Sequence, residues 1–171
     1  MCSLKMSFDI PEEYSDYQRS LDLSDAVAEV SFKAADVTYT RQVIASLPDK
    51  ILAVMLRADK KGALDFTLRY DSPLAFEVSA EGNCLQAVVD GVEQEGIPAS
   101  LKALCRTLVE TDGEVYAEDG TIVVKGASSA VLRTAAATNF VNYHDVSGDA
   151  SSKVSELLSA TQGKSFKTLL S

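Results

Sequence analysis

The chain has 171 residues, 46% hydrophobic and 24% charged, which is the composition of a globular domain with one core and excludes a disordered or fibrous chain. Its longest apolar runs, such as Ile51 to Leu56, fall far short of the roughly 20 residues of a membrane helix, so no membrane partner is expected. Twenty-five acidic residues against 16 scattered basic ones give a net charge of −9, a surface that repels phosphate backbones and argues against nucleic acid.

The first six residues, Met1 to Met6, lack the apolar stretch of a signal peptide, so the cellular location is left open between the cytoplasm and a natural N-terminus lying upstream. From there a period of two dominates. Ala26, Ala28, Val30 and Phe32 alternate with Val27, Glu29, Ser31 and Lys33. Leu64, Phe66, Leu68 and Tyr70 do the same, as do Leu74, Phe76 and Val78. Each pattern predicts a strand with one wet and one buried face. Ile51 to Leu56 is apolar on both faces and predicts a central strand.

Ser100 to Glu110 fits two patterns. Leu101, Leu104, Cys105 and Leu108 form a helical stripe, and Leu101, Ala103, Cys105, Thr107 and Val109 form a strand face. The neighbouring strands favour the strand. Turn chemistry at Lys60-Lys61-Gly62, Asp71-Ser72-Pro73, Glu81-Gly82-Asn83, Asp90-Gly91 and Asp119-Gly120 separates the runs by roughly 8–12 residues, the rhythm of a β-sandwich or barrel.

The C-terminus changes character. Asp149 is placed to cap a helix carrying Val154, Leu157 and Leu158 on one side, and a second stripe, Phe166, Leu169 and Leu170, follows Gly163. A helix this close to the end of the chain is expected to have little to pack on. The predicted fold is therefore mainly β, an antiparallel sandwich over residues 4–148 with a helical segment over 149–171.

The search for chemistry finds little. His144 is the only histidine, and its neighbour Asp145 is poorly placed to orient it, because adjacent side chains in extended backbone point apart; a loop histidine with a local hydrogen bond is the simpler reading. Three cysteines, Cys2, Cys84 and Cys105, make no disulfide framework; buried thiols are the plain reading, and spacing does not decide whether Cys84 and Cys105 are bridged. The ligand pairs of a zinc site, a calcium loop with its terminal glutamate and a glycine-rich phosphate loop are all missing, so no metal and no cofactor are expected. The densest acidic group, Glu110, Asp112, Glu114, Glu118 and Asp119, lies across a predicted turn at Gly113 and reads as solvated surface.

The order of several segments is familiar. Tyr17-Gln18-Arg19-Ser20-Leu21-Asp22-Leu23-Ser24-Asp25-Ala26-Val27 is followed by Val37-Thr38-Tyr39-Thr40-Arg41-Gln42-Val43, Ala45-Ser46-Leu47-Pro48-Asp49-Lys50, Leu56-Arg57-Ala58-Asp59-Lys60-Lys61-Gly62 and, near the end, Ala136-Ala137-Thr138-Asn139-Phe140-Val141-Asn142-Tyr143. Together they resemble the N-terminal domain of glycoside hydrolase family 95, the α-L-fucosidases, from about Leu4 to Leu170. The resemblance implies a large β-sandwich beside an (α/α)6 barrel, with the catalytic carboxylates in the barrel acting by inversion on terminal α-1,2-linked fucose, or on related galactosides in some members. It also implies a secreted or periplasmic full-length protein.

Against that family pattern, the opening strands with their Asn-Glu and Trp motif would precede Leu4 and the barrel would follow Ser171. The expectation is thus a non-catalytic partial domain that braces a barrel, with no catalytic residue to assign. Two further expectations accompany it. Missing strands leave sheet edges open, which predicts self-association. If the domain instead binds a glycan by itself, Phe140, Asn142 and Tyr143 are the candidate contacts, two rings and an amide near the start of the helical segment.

Overall fold

The alternating runs pair into two antiparallel sheets in a computed structural model that describes residues 2–170. The strands are β1 (Ser3–Phe8), β2 (Ser15–Asp22), β3 (Val27–Ala34), β4 (Val37–Ser46), β5 (Ile51–Ala58), β6 (Leu64–Asp71), β7 (Phe76–Glu81), β8 (Cys84–Asp90), β9 (Lys102–Thr111), β10 (Glu114–Glu118), β11 (Thr121–Ala127) and β12 (Ser129–Thr138). A four-stranded sheet runs β1-β6-β11-β10, and an eight-stranded sheet runs β2-β3-β4-β5-β12-β9-β8-β7. Two helices follow, α1 (Ala150–Ala160) and α2 (Phe166–Leu170).

The period of two sorts side chains between the layers. Leu64, Phe66, Leu68 and Tyr70 of β6 face the large sheet and meet Val54 and Leu56 of β5, Leu132 of β12 and Leu85 of β8 in the core between the sheets. Each such side chain, fully buried, is worth about 1.5–3 kcal/mol. One polar thread crosses this core. The Tyr70 hydroxyl lies 2.7 Å from Thr107 Oγ1, which lies 2.7 Å from Thr134 Oγ1, so the hydroxyls satisfy one another where water is excluded. Burial pushes the Tyr70 phenol well above its ordinary pKa.

The opposite face of the large sheet carries a second core. Ile44, Ile51, Ala53, Leu104 and Ala135 lie under Val154 and Leu158 of α1 and Phe166 and Leu169 of α2. This explains why β5 is apolar on both faces: Ile51 and Ala53 serve the helices, Val54 and Leu56 the small sheet. It also corrects an expectation. The final stripe does not lack a surface, since Phe166 and Leu169 are buried against the sheet. Ser171 lies outside the described residues.

Local chemistry sets the element ends. Asp149 caps α1, accepting from the Ser152 amide at 2.9 Å. The ambiguous stretch is a strand, because β9 is hydrogen-bonded on both sides, to β8 and β12. Leu74, expected in a strand, precedes β7 in a turn, where its amide donates to Ser72 Oγ at 3.1 Å. Ala26 also falls outside its strand, in the β2–β3 turn at φ +54°.

Gly113 fills a position nothing larger fits. A Cβ there would sit 2.5 Å from the Lys125 carbonyl oxygen and 2.7 Å from the Ala127 nitrogen. Beside it Asp112 accepts from the Ser128 and Ser129 amides, both at 2.8 Å, and these bonds lower its pKa. That carboxylate of the acidic turn is a structural tie between β9 and β12.

Candidate functional site

The loop between β12 and α1 holds the residues expected to touch a glycan. Phe140 is 49% exposed and Tyr143 is 85% exposed. Asn142 and Asp145 exchange backbone hydrogen bonds of 3.0 and 3.1 Å, closing a short hairpin loop. The Asn142 side-chain oxygen accepts from the His144 amide at 2.9 Å, so it is engaged within the loop. The Tyr143 and His144 rings lie 3.9 Å apart, and Asp145 is turned to the Ser147 amide at 2.8 Å. His144 and Asp145 therefore do not form an acid–base pair.

Asn139 clasps this loop to its neighbour. Its side-chain oxygen accepts from the Lys102 amide at 2.8 Å and its nitrogen donates to the Ser100 carbonyl at 2.9 Å. Leu101, Phe140 and Val141, next to the clasped residues in sequence, are all exposed.

The cysteines lie apart. Cys84 is opposite Leu108 in the β8–β9 register, on the helix side of the sheet, whereas Cys105 is opposite Ala87, on the core side. The two thiols point to opposite faces, and all three cysteines are free. Burial first, then contact with Cys2, pushes the Cys105 thiol up to about 12. Among the described residues no group of three His, Cys, Asp or Glu side chains could hold a metal ion.

A large concavity lies elsewhere, between α1 and the outer face of β7, β8, β9 and β12, with a volume of about 840 Å³. Parity builds it. Gln86, Arg106 and Glu110 occupy alternate positions whose side chains leave the sheet towards α1, and Ser155 and Ser159 face them from the helix. Arg106 is the hub. It donates to Gln86 Oε1 through Nε (2.9 Å) and Nη2 (2.6 Å), and to Ser155 Oγ through Nη1 (2.7 Å). Arg133 forms the inner wall, its side chain 4% exposed, with Nη1 on the Glu110 carboxylate and Nη2 donating 2.7 Å to the Lys164 carbonyl.

The candidate glycan contacts Phe140, Asn142 and Tyr143 and the lone His144 do not line this groove, whereas Cys84 and Glu110 do. Its polar set could have been found from one signal, the alternation of Gln86, Arg106 and Glu110 on strands that end up under a helix. The sequence does not say which strand face the helix covers, so that signal reads as solvated surface.

Fold and sequence relatedness now coincide. The family model described as glycosyl hydrolase family 65, N-terminal domain, matches residues 1–143. The chain belongs to this family of glycosyl hydrolase N-terminal domains. Alpha-L-fucosidase 2 of Arabidopsis thaliana is 29% identical over 145 residues, covering 72% of this chain and 17% of that protein. A putative kojibiose phosphorylase from the human microbiome superposes with a TM-score of 0.61 over 98% of this chain and 26% of that one, at 10% identity, a likeness of fold alone. This chain therefore spans about a sixth of the length of the fucosidase relative. The fucosidase likeness seen in the motifs is shared by that relative, while the matching family model is that of family 65.

Proposed function

We propose that this chain is the non-catalytic N-terminal β-sandwich domain of an α-L-fucosidase-like glycoside hydrolase of family 95 type. The full-length enzyme would hydrolyse terminal α-1,2-linked fucose with inversion, and this domain would brace its helical barrel. The observation that carries the reading is the family match over residues 1–143 together with the fucosidase relative. The site chemistry is compatible with it. Glycoside hydrolysis by inversion needs one carboxyl held protonated as general acid. The carboxyls with displaced pKa values, Asp49, Asp59, Asp112, Asp145 and Asp149, are all pushed down by hydrogen bonds to their charged form.

Incubation of the purified chain with 2′-fucosyllactose tests the non-catalytic part: no fucose is expected, and saturable release would overturn it. The gene downstream tests the bracing role. An in-frame helical barrel is expected, and a locus without one would leave only a binding module.

A second reading, a glycan-binding module using Phe140, Asn142 and Tyr143, is favoured by the exposure of the two rings on one closed loop. Calorimetry against fucosylated and galactosylated glycans separates the two readings. Heat lost in a Phe140→Ala, Tyr143→Ala variant would support the module, and no heat with any glycan would remove it.

A further inference from the structure

The groove between α1 and the outer face of the large sheet lies apart from the β12–α1 loop. Its volume of about 840 Å³ lies within the roughly 300–1,000 Å³ of small-molecule sites. Arg106 and Gln86 are fixed in place before any ligand arrives. Gln86 Oε1 takes two bonds from Arg106, which locks the amide and leaves Gln86 Nε2 without a partner among the described residues. Glu110 has one oxygen on Arg133, and its side chain is half-exposed. The Ser79, Ser159 and Gln162 side chains line the same groove and make no hydrogen bond among the described residues.

The charges on the lining balance. Arg106 and Arg133 stand against Glu81 and Glu110. Such a groove gives a free anion no net attraction and sets two carboxylates against it. It does offer acceptors and donors side by side, which suits sugar hydroxyls, since each donates once and accepts. Leu108 adds an apolar edge for the C–H face of a ring.

We infer that this groove is a binding site for a neutral, hydroxyl-rich saccharide of one to three rings, separate from the loop that carries Phe140 and Tyr143. A sugar acid or an acidic peptide is disfavoured, because Arg106 and Arg133 are already engaged by Gln86, Ser155, Glu110 and the Lys164 carbonyl while Glu81 and Glu110 stand beside the groove. The inference stands on the groove alone, so its failure would leave the fucosidase-domain reading untouched.

The test is an NMR titration of the isotopically labelled 171-residue chain with lactose, maltose and 2′-fucosyllactose, and with glucuronic acid as the charged control. At least one neutral sugar is expected to shift the amides of Gln86, Arg106, Ser159 and Gln162 saturably, with a Kd on the order of 1–10 mM. Glucuronic acid should bind about tenfold more weakly than that sugar. A Ser159→Ala, Gln162→Ala double variant, whose lost side-chain groups hold nothing else, should weaken binding about fivefold while keeping the wild-type melting temperature. No saturable shift with any neutral sugar at about 100 mM would overturn the inference. So would shifts confined to residues 139–145, glucuronic acid binding as well as the neutral sugar, or a double variant that binds like wild type.

Discussion

Lys164 Nζ lies 2.5 Å from Asp49 Oδ1, joining the turn between the two helices to the turn between β4 and β5. The same lysine accepts from Arg133 through its carbonyl, so the inter-helix turn is held to the sheet at two points. The Lys164 bond, then the Ser46 hydroxyl at 2.8 Å, hold the Asp49 carboxyl below its ordinary pKa.

Asp49→Asn is expected to cost about 1–2 kcal/mol at neutral pH, the worth of a hydrogen bond to a charged group. A depressed folded pKa stabilises the fold above the unfolded pKa of about 3.9, and that stability is lost as pH falls through the lower folded value. Urea unfolding of both proteins at pH 7 and near pH 2.5 checks this. A gap that does not narrow in acid would show that the pair contributes little.

Arg133 and Glu110 are unequally buried, 4% against 49% exposed, and their removal should be unequal too. Glu110→Gln strands a charge in the interior and is expected to cost about 3 kcal/mol. Arg133→Met removes that charge, frees Glu110 to solvent and loses the bond to Lys164, costing about 1 kcal/mol. Chemical denaturation ranks the two, and the reverse order would contradict the burial argument.

Gly113→Ala forces a Cβ into the backbone of β11. It is expected to destabilise by about 1–3 kcal/mol, the range for overpacking. A melting temperature equal to wild type would mean that the β9–β10 turn yields without cost.

The Cys105 thiol, pushed up to about 12 by burial and by Cys2, should resist alkylation at pH 8 in the native chain and react after unfolding. Mass spectrometry of iodoacetamide-treated protein reads this directly. Native labelling of Cys105 at the rate of an unfolded thiol would refute it.

Self-association is the last expectation to test. Among the described residues β2 pairs only with β3, and every one of its residues is exposed, including Tyr17 and Leu21. An open edge of that kind is a template for a second strand. We propose that copies of this chain associate through it, so light scattering at about 100 μM, a concentration typical of weak interfaces, should exceed the monomer mass. A Leu21→Lys variant should restore the monomer, and a monomeric wild type would dismiss the edge.

Much of the sandwich is written in strand periodicity. Leu64, Phe66, Leu68 and Tyr70 declare their buried face because water on one side and core on the other selects alternate residues. The Asp149 cap and the Asp119-Gly120 turn are legible for a similarly local reason, since each satisfies backbone geometry within a few residues. The motif order also points to glycoside hydrolase N-terminal domains.

Tertiary structure alone decided what lies across the sheet. Spacing leaves Cys84 and Cys105 undecided, and only the register of β8 on β9 sets them on opposite faces. Phe166 and Leu169 look stranded in sequence, and their surface is assembled from Ile44, Ile51 and Ala53, more than a hundred positions earlier. The groove likewise needs β7, β8, β9, β12 and α1 at once. Local pattern records which residues leave water. Which partners they meet is a product of long-range pairing, and no window along the chain contains it.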